Sequence, residues 1–144
     1  MKYSTTIVIN QPIDKVCKLY DSEENLYKWM KGLEKIEHIE GEKGKVGAKS
    51  NLYFKMGKRE MVMLETIKAM NLPEEFTAEY EAKGVFNIVK TSFEKIDDNT
   101  TKCITEHEFQ FKGMMKIIAF LMPGAFKKQS KKYMEDFKAF AESE

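Results

Sequence analysis

Two side chains of this 144-residue sequence stand out because they could move protons in an apolar environment: His107 and Glu65. His107 alternates with Thr105 and Phe109, so a strand would place its imidazole on the apolar face. There it could donate a hydrogen bond or act as a general base. The alternative is a core histidine whose ring is satisfied by a neighbouring hydroxyl, the commoner outcome at such a position. Both interpretations stay open on the sequence alone.

Glu65 lies in an apolar run, and an inward carboxyl group there would have a raised pKa and could act as a general acid. More often such a residue faces solvent. Tyr80 lies on the apolar side of the alternating segment 76–82, where its hydroxyl could orient a ligand or form a bond within a packed core. His38 is expected at the surface.

The residue spacing gives no support for a metal, cofactor or disulfide. His38 and His107 form no HxH, HxxxH or HExxH motif, and the acids flanking His107 lie on the other face of its strand. Cys17 and Cys103 stand far apart without a CxxC pair, so two buried, inert thiols are expected. The motifs GxGxxG, GxxxxGKS/T and GxSxG are absent. We therefore expect no metal ion and no cofactor.

The composition is that of one folded domain spanning 1–144. Apolar residues make up 42% of the chain and charged residues 33%, which is enough apolar material for one core. The 24 basic and 23 acidic residues leave a net charge of +1, so binding to nucleic acid through bulk charge is disfavoured. The longest apolar run, 117–122, is too short to span a bilayer, and residues 1–10 do not resemble a signal peptide. A cytoplasmic location is expected.

The N-terminal part of the chain predicts one strand and two short helices. Residues 3–10 are mostly β-branched or small and end before Pro12, which opens the first helix. A capping-box pattern over 21–24, with Asp21 as the cap, begins a second helix that ends near Gly32.

Residues 33–111 alternate between apolar and polar positions, with turn residues about every ten positions, which predicts an antiparallel meander of about six strands. Two of these strands, 59–70 and 85–96, show no clean inner and outer face. Helical spacing returns from about Met114 and should be kinked or broken at Pro123-Gly124. Because the sheet has one polar face, its other face must pack on this long helix.

Four features in this order carry a resemblance to a known family. They are the strand end Ile7-Val8-Ile9-Asn10-Gln11-Pro12 with the helix after it, Trp29 before the second strand, the turn from Glu40-Gly41 to Val46-Gly47, and the terminal helix ending at 134–138. The chain resembles the START-like (SRPBCC) superfamily, most of all its polyketide cyclase/dehydrase-like members and those similar to the G-type subunit of carbon monoxide dehydrogenase. The resemblance covers essentially the whole chain. It implies the α+β helix-grip fold: a curved antiparallel sheet of about seven strands wrapped around a long C-terminal helix, with two short helices between strands 1 and 2.

The resemblance also implies a deep apolar cavity between the sheet and the C-terminal helix, used in the superfamily to hold lipids, sterols, polyketides and other hydrophobic molecules. Only some members are enzymes. Flexible methionine side chains would let the cavity wall repack around different ligands. The residues expected to line or gate it are Trp29, Leu52, Phe54, Met61, Met63, Tyr80, Thr105, His107, Phe109, Met115, Ile118, Met122 and Phe126. The alternative is that these residues form a filled core.

Three functions are compatible with these patterns. The first is binding of a small hydrophobic ligand oriented by Tyr80, Thr105 and His107. The second is a polyketide cyclase/dehydrase-type enzyme in which His107 or Glu65 is the acid or base. The third is an accessory factor that contacts a membrane or a partner protein through 113–132. In that segment an apolar stretch abuts four basic residues, a pattern typical of a peripheral membrane contact or of a gating helix with a solvated end. The basic residues are Lys127, Lys128, Lys131 and Lys132. The sequence leaves the ligand and the oligomeric state open.

Overall fold

The computed structural model describes all residues from Met1 to Glu144 as seven strands and four helices. The strands are β1 (Lys2–Ile9), β2 (Leu33–Glu40), β3 (Lys49–Met56), β4 (Arg59–Asn71), β5 (Glu75–Ala82), β6 (Val85–Asp97) and β7 (Thr100–Phe111). The helices are α1 (Ile13–Tyr20), α2 (Glu23–Trp29), α3 (Met114–Leu121) and α4 (Pro123–Ser143).

All seven strands form one curved antiparallel sheet in the order β1-β7-β6-β5-β4-β3-β2. Strands β2 to β7 follow one another as a meander, and β1 pairs with β7. The short helices α1 and α2 therefore connect the two opposite edges of the sheet. The structure confirms the helix-grip architecture expected from the sequence.

Local sequence sets the starts of both short helices. Pro12 precedes α1 in an extended conformation (φ −60°, ψ 146°), where its missing N–H leaves no bond unmade. At α2 the Ser22 hydroxyl accepts a hydrogen bond from the backbone N–H of Asn25 over 3.2 Å. The expectation that Asp21 caps this helix is wrong by one residue. The short hydroxyl of Ser22 satisfies an N–H of the first turn that has no partner within the helix.

The C-terminal helical segment is divided in two, as expected from its proline. Helix α3 ends at Leu121, and α4 begins with Pro123 as its first residue, where an N–H would have no partner within the helix. Met122 lies between them with φ −131° and ψ 61°. The break makes α3 a separate element, which packs against both β7 and α4. None of the four helices combines the length and hydropathy needed to cross a membrane.

A packed core lies where α1, α2 and α4 meet the sheet. Ile9, Val16 and Phe137 are fully buried in it. Tyr20 packs edge-on against Phe137, with the ring centroids 5.2 Å apart. The main backbone neighbours of α4 are β1, α1, α2 and α3. Helix α4 thus lies mainly over the β1 edge and the two short helices.

Candidate functional site

A row of polar side chains crosses the inner face of the sheet. Cross-strand pairing places Asn87 of β6 beside Tyr80 of β5, Tyr80 beside Glu65 of β4, and Glu65 beside Ser50 of β3. Ser50 in turn pairs with His38 of β2. Directly paired residues point to the same face of a sheet. We call these five residues the polar row.

The two central members of the polar row are joined directly. The Tyr80 hydroxyl donates a hydrogen bond to Oε2 of Glu65 over 2.9 Å. Burial raises the pKa of Glu65, and the negative charge of Glu23 adds to this effect. Burial and the Glu65 charge raise the pKa of Tyr80 as well. Both residues are half-buried, so part of the surface of each remains accessible.

Two polar atoms of the row have no hydrogen-bond partner in the protein. Oδ1 of Asn87 is buried and unpaired. His38 bonds through Nε2 to the carbonyl oxygen of Gly41 at 2.6 Å, while its Nδ1 is buried and unpaired. Buried polar atoms without partners are rare in folded proteins because each loses its bonds to water. These two atoms are therefore the unsatisfied hydrogen-bonding groups of the polar row.

Apolar side chains border the polar row on both sides. On one side, Val89 of β6 pairs with Ala78 of β5, which pairs with Ile67 of β4. On the other side, Leu52 of β3 pairs with Met63 of β4. Ala78, Ile67 and Leu52 are buried. The polar row is thus a narrow hydrogen-bonding strip with apolar residues on both sides.

His107 also lies on the inner face, but away from the polar row. It stacks against Tyr3, with ring centroids 4.9 Å apart, and against Phe109 at 6.0 Å. Burial lowers the pKa of His107 to about 4, so its imidazole is neutral at neutral pH. Its Nδ1 is buried without a partner. Three strand spacings, about 14 Å, separate β7 from β4, so the structure does not bring His107 and Glu65 together.

The residues expected to line a cavity fall into three environments. Trp29, Leu52, Phe54, Thr105 and Phe109 are buried, and the Thr105 hydroxyl forms its hydrogen bond with Thr5. A second group is half-buried and consists of Met63, Tyr80, His107, Met115, Ile118 and Phe126. Met61 and Met122 are exposed, by 40% and 56%. The half-buried and exposed residues of this set therefore keep surface that a ligand could contact, whereas the buried ones pack within the core.

Sequence reasoning missed Asn87 and Ser50, and it expected His38 at the surface. Strand β6 gave no clean pattern because its inner positions, which share a face with Asn87, include both apolar residues and Thr91. The pattern of β4 was equally mixed because Glu65 points inward while Val62 is 47% exposed on the other side. Strand β5 alternates cleanly between apolar and polar residues and pairs with both β4 and β6. Its pattern is the signal that could have shown which residues of β4 and β6 point inward.

Neither cysteine is placed for chemistry. Cys103 is fully buried and contacts the sulfur of Met134 at 3.7 Å, and Cys17 is half-buried at the same core. Burial raises the pKa of Cys103 to about 12 and that of Cys17 to about 11. Both thiols are therefore protonated, and weak nucleophiles, at neutral pH.

Comparison with known proteins identifies the fold. No protein-family profile and no curated protein matches the chain. Among solved structures, Ara h 8.0201 superposes with a TM-score of 0.78 at 16% identity, covering 100% of this chain and 99% of that one. The ZhuI aromatase/cyclase from Streptomyces sp. R1128 superposes with a TM-score of 0.82 at 12% identity, covering 99% and 93%. Norcoclaurine synthase from Thalictrum flavum, in complex with dopamine and hydroxybenzaldehyde, superposes with a TM-score of 0.72 at 14% identity, covering 97% and 85%.

These similarities span at least 97% of this chain and agree with the element order described above. The molecule is a helix-grip protein with a polar row on the inner face of its sheet. Its fold is that of the START-like proteins, as the sequence resemblance implied.

Proposed function

We propose that this protein binds a small hydrophobic molecule that carries a hydroxyl group, in the space between the inner face of the sheet and the helices. The observation that carries the proposal is the Tyr80–Glu65 hydrogen bond, which is part-buried on the inner face of the sheet between two half-buried side chains. Apolar burial would supply the affinity, and the polar row would supply the orientation.

A hydroxyl group suits the polar row because it can donate and accept at the same time. The unpaired Oδ1 of Asn87 needs a donor, and Oε1 of Glu65 is not engaged by Tyr80. An apolar molecule without a hydrogen-bonding group would leave these atoms unsatisfied, at a cost of about 1–3 kcal/mol each. The solved neighbours support a ligand of this kind, since norcoclaurine synthase was crystallised with dopamine and hydroxybenzaldehyde, which are small hydroxylated aromatic molecules.

The first test is native mass spectrometry of the purified protein, followed by organic extraction and identification of what is released. A stoichiometric apolar molecule with a hydroxyl group would support the proposal. A stoichiometric hydrocarbon chain without such a group would contradict the role of the polar row.

The second test compares two probes of nearly the same shape, 2-naphthol and 2-methylnaphthalene. The wild-type protein should bind 2-naphthol about tenfold more tightly, the equivalent of one hydrogen bond. In Tyr80→Phe and Glu65→Gln variants this preference should shrink, while the affinity for 2-methylnaphthalene stays the same or rises.

The chain offers a matched control for these variants. On the outer face, the Tyr53 hydroxyl donates to Oε1 of Glu37 over 3.1 Å, the same pair of groups at a similar distance. Tyr53→Phe and Glu37→Gln should leave the preference for 2-naphthol unchanged. Equal affinity for the two probes in the wild-type protein would contradict recognition of a hydroxyl group.

A second candidate function is proton transfer on a bound carbonyl compound, as in a polyketide cyclase/dehydrase-type enzyme. One observation favours Glu65 over His107 for this chemistry. Glu65 lies in the polar row, where burial raises its pKa and Tyr80 donates a hydrogen bond to it. His107 lies in an aromatic stack instead. Turnover of a carbonyl substrate that is lost in Glu65→Gln and kept in His107→Gln would support this candidate. Turnover that is unaffected by Glu65→Gln would exclude Glu65 as its acid or base.

A further inference from the structure

Helix α3 presents large apolar side chains to the outside of the molecule. Phe120 is 84% exposed, Met114 and Leu121 are each 70% exposed, and Ile117 and Met122 are each 56% exposed. The opposite side of the helix is covered, with Ala119 buried. An apolar patch of this kind on a folded protein marks a contact with another surface. We call these five exposed residues the α3 patch.

The chain segment that contains the α3 patch is positively charged. The segment from Phe109 to Met134 contains six lysines and no acidic residue. Lys132 pairs with Asp136, but the other five lysines form no ion pair with a carboxylate. These five are Lys112, Lys116, Lys127, Lys128 and Lys131, and all are exposed. Their charge is therefore available to an anionic partner.

We propose that the α3 patch and its surrounding lysines dock the protein on the surface of an anionic lipid bilayer. Apolar side chains would enter the boundary between headgroups and acyl chains, and the lysines would contact anionic headgroups. The eight residues of α3 form about 12 Å of helix, which is too short to cross a bilayer. The helix would therefore lie in the plane of the interface.

Charge favours a bilayer over a second copy of this chain. In a two-fold contact through α3, the same patch on each copy would face the other. The five unpaired lysines of one copy would then meet the five of its partner, with no acid in either segment to offset them. An anionic bilayer offers both apolar material and negative charge to the same face.

An open groove of about 500 Å³ lies beside the patch and extends the apolar surface toward the sheet. Five of its six lining residues are hydrophobic, and the sixth is a lysine. The groove is lined by Met1, Phe111, Lys116, Ile117, Ala119 and Phe120. The groove is thus apolar with a lysine at its border, like the α3 patch, and adds to the apolar surface available to a bilayer.

The test is cosedimentation of the 144-residue protein with vesicles of phosphatidylcholine and phosphatidylserine, compared with vesicles of phosphatidylcholine alone. The protein should pellet with the anionic vesicles and much less with the neutral ones. Added salt should weaken this binding, because it screens the attraction between lysines and headgroups.

Two double variants separate the apolar and the charged contributions. Phe120→Gln with Leu121→Gln should weaken binding to anionic vesicles by at least about tenfold, because two apolar side chains no longer enter the interface. Lys127→Glu with Lys128→Glu should weaken it by a similar factor, since each lysine near an anionic surface strengthens binding severalfold.

Each variant has a matched control at the opposite end of the sheet from α3. Ile39→Gln with Ile96→Gln replaces two strand residues that are 48% and 52% exposed, and Lys43→Glu with Lys45→Glu makes the same change in charge at two exposed positions. Both controls should bind anionic vesicles as the wild type does. Equal binding to neutral and anionic vesicles, no pelleting with either, or equal losses in variants and controls would overturn the proposal. Self-association through α3 without vesicle binding, seen by sedimentation equilibrium, would also overturn it in favour of a second copy.

Discussion

The Tyr80 hydroxyl donates to the Glu65 carboxyl group over 2.9 Å, from one strand to the next, on the inner face of the sheet. This bond is local in space but joins residues 15 positions apart in the chain. The bond holds the Glu65 carboxyl group and the Tyr80 hydroxyl next to each other between apolar side chains. Its consequences for stability can be tested apart from any ligand.

The stability of the protein should fall as pH rises through the raised pKa of Glu65. Burial makes the folded state hold this proton to a higher pH than the unfolded chain, whose reference value is 4.5. The contribution of Glu65 is therefore fully present below about pH 4.5 and is lost above it. The glutamine in the Glu65→Gln variant has no proton to lose. The melting temperature of the variant minus that of the wild type should therefore increase with pH. A difference that is constant between about pH 4 and pH 8 would contradict a buried Glu65.

His107 should make the protein less stable as pH falls, which is opposite to the effect of Glu65. Burial lowers its pKa from 6.5 to about 4, so its contribution to stability is fully present above pH 6.5 and is lost as pH falls toward 4. The loss should reach at most about 3 kcal/mol. His107→Phe, which can keep the stack on Tyr3 and Phe109, should lack this part of the pH dependence. Urea denaturation of both proteins over this range measures it, and parallel pH profiles would show that His107 is accessible to water.

The cap of α2 can be tested with neighbouring substitutions. Ser22→Ala removes the hydroxyl that accepts the Asn25 N–H, and it should lower the free energy of unfolding by about 1 kcal/mol. Asp21→Ala is the matched control and should cost clearly less, since Asp21 lies one residue before the cap. Urea denaturation at neutral pH compares them. A larger loss for Asp21→Ala would restore the assignment suggested by the sequence pattern.

Two hairpin glycines should differ in their tolerance of alanine. Gly84 and Gly57 both have positive φ, +76° and +65°, so alanine is strained at either site by about 1–2 kcal/mol. At Gly84 a Cβ would also lie 3.0 Å from Cγ of Met115 and 3.1 Å from the carbonyl oxygen of Lys112, whereas at Gly57 nothing lies within 4 Å. Gly84→Ala should therefore destabilise the protein more than Gly57→Ala in thermal unfolding. Equal losses would show that the turn before α3 can move away from β5 and β6.

Most of the element order followed from patterns that are local in the chain. The alternation of β5 showed that Ala78 and Tyr80 share the apolar face, and the structure buries Ala78 completely. Pro123 predicted the break between α3 and α4 because proline lacks the N–H that a helix interior needs. The cap of α2 was misplaced because two adjacent residues, Asp21 and Ser22, both have side chains suited to capping.

The candidate site was less predictable, because each of its residues is ordinary in its own strand. Glu65 and Tyr80 were identified individually, but the sequence could not show that they are bonded. Asn87 interrupts the apolar pattern of β6, and only strand pairing places it beside Tyr80. His107 looked equally promising, and the structure places it in an aromatic stack three strands away from Glu65.

Local sequence patterns were enough to predict the order of strands and helices, the division of the C-terminal helix, and the stretch of six lysines without an acid around α3, while the helix-grip architecture was implied by the resemblance to START-like proteins. The local predictions depend on periodicity, turn residues and charge along the chain, which are properties of neighbouring residues. Strand pairing and helix packing were needed to show that Asn87, Tyr80, Glu65, Ser50 and His38 form one row and that the α3 patch is left uncovered. Register between strands and packing between helices depend on residues far apart in the chain, so no single segment contains that information.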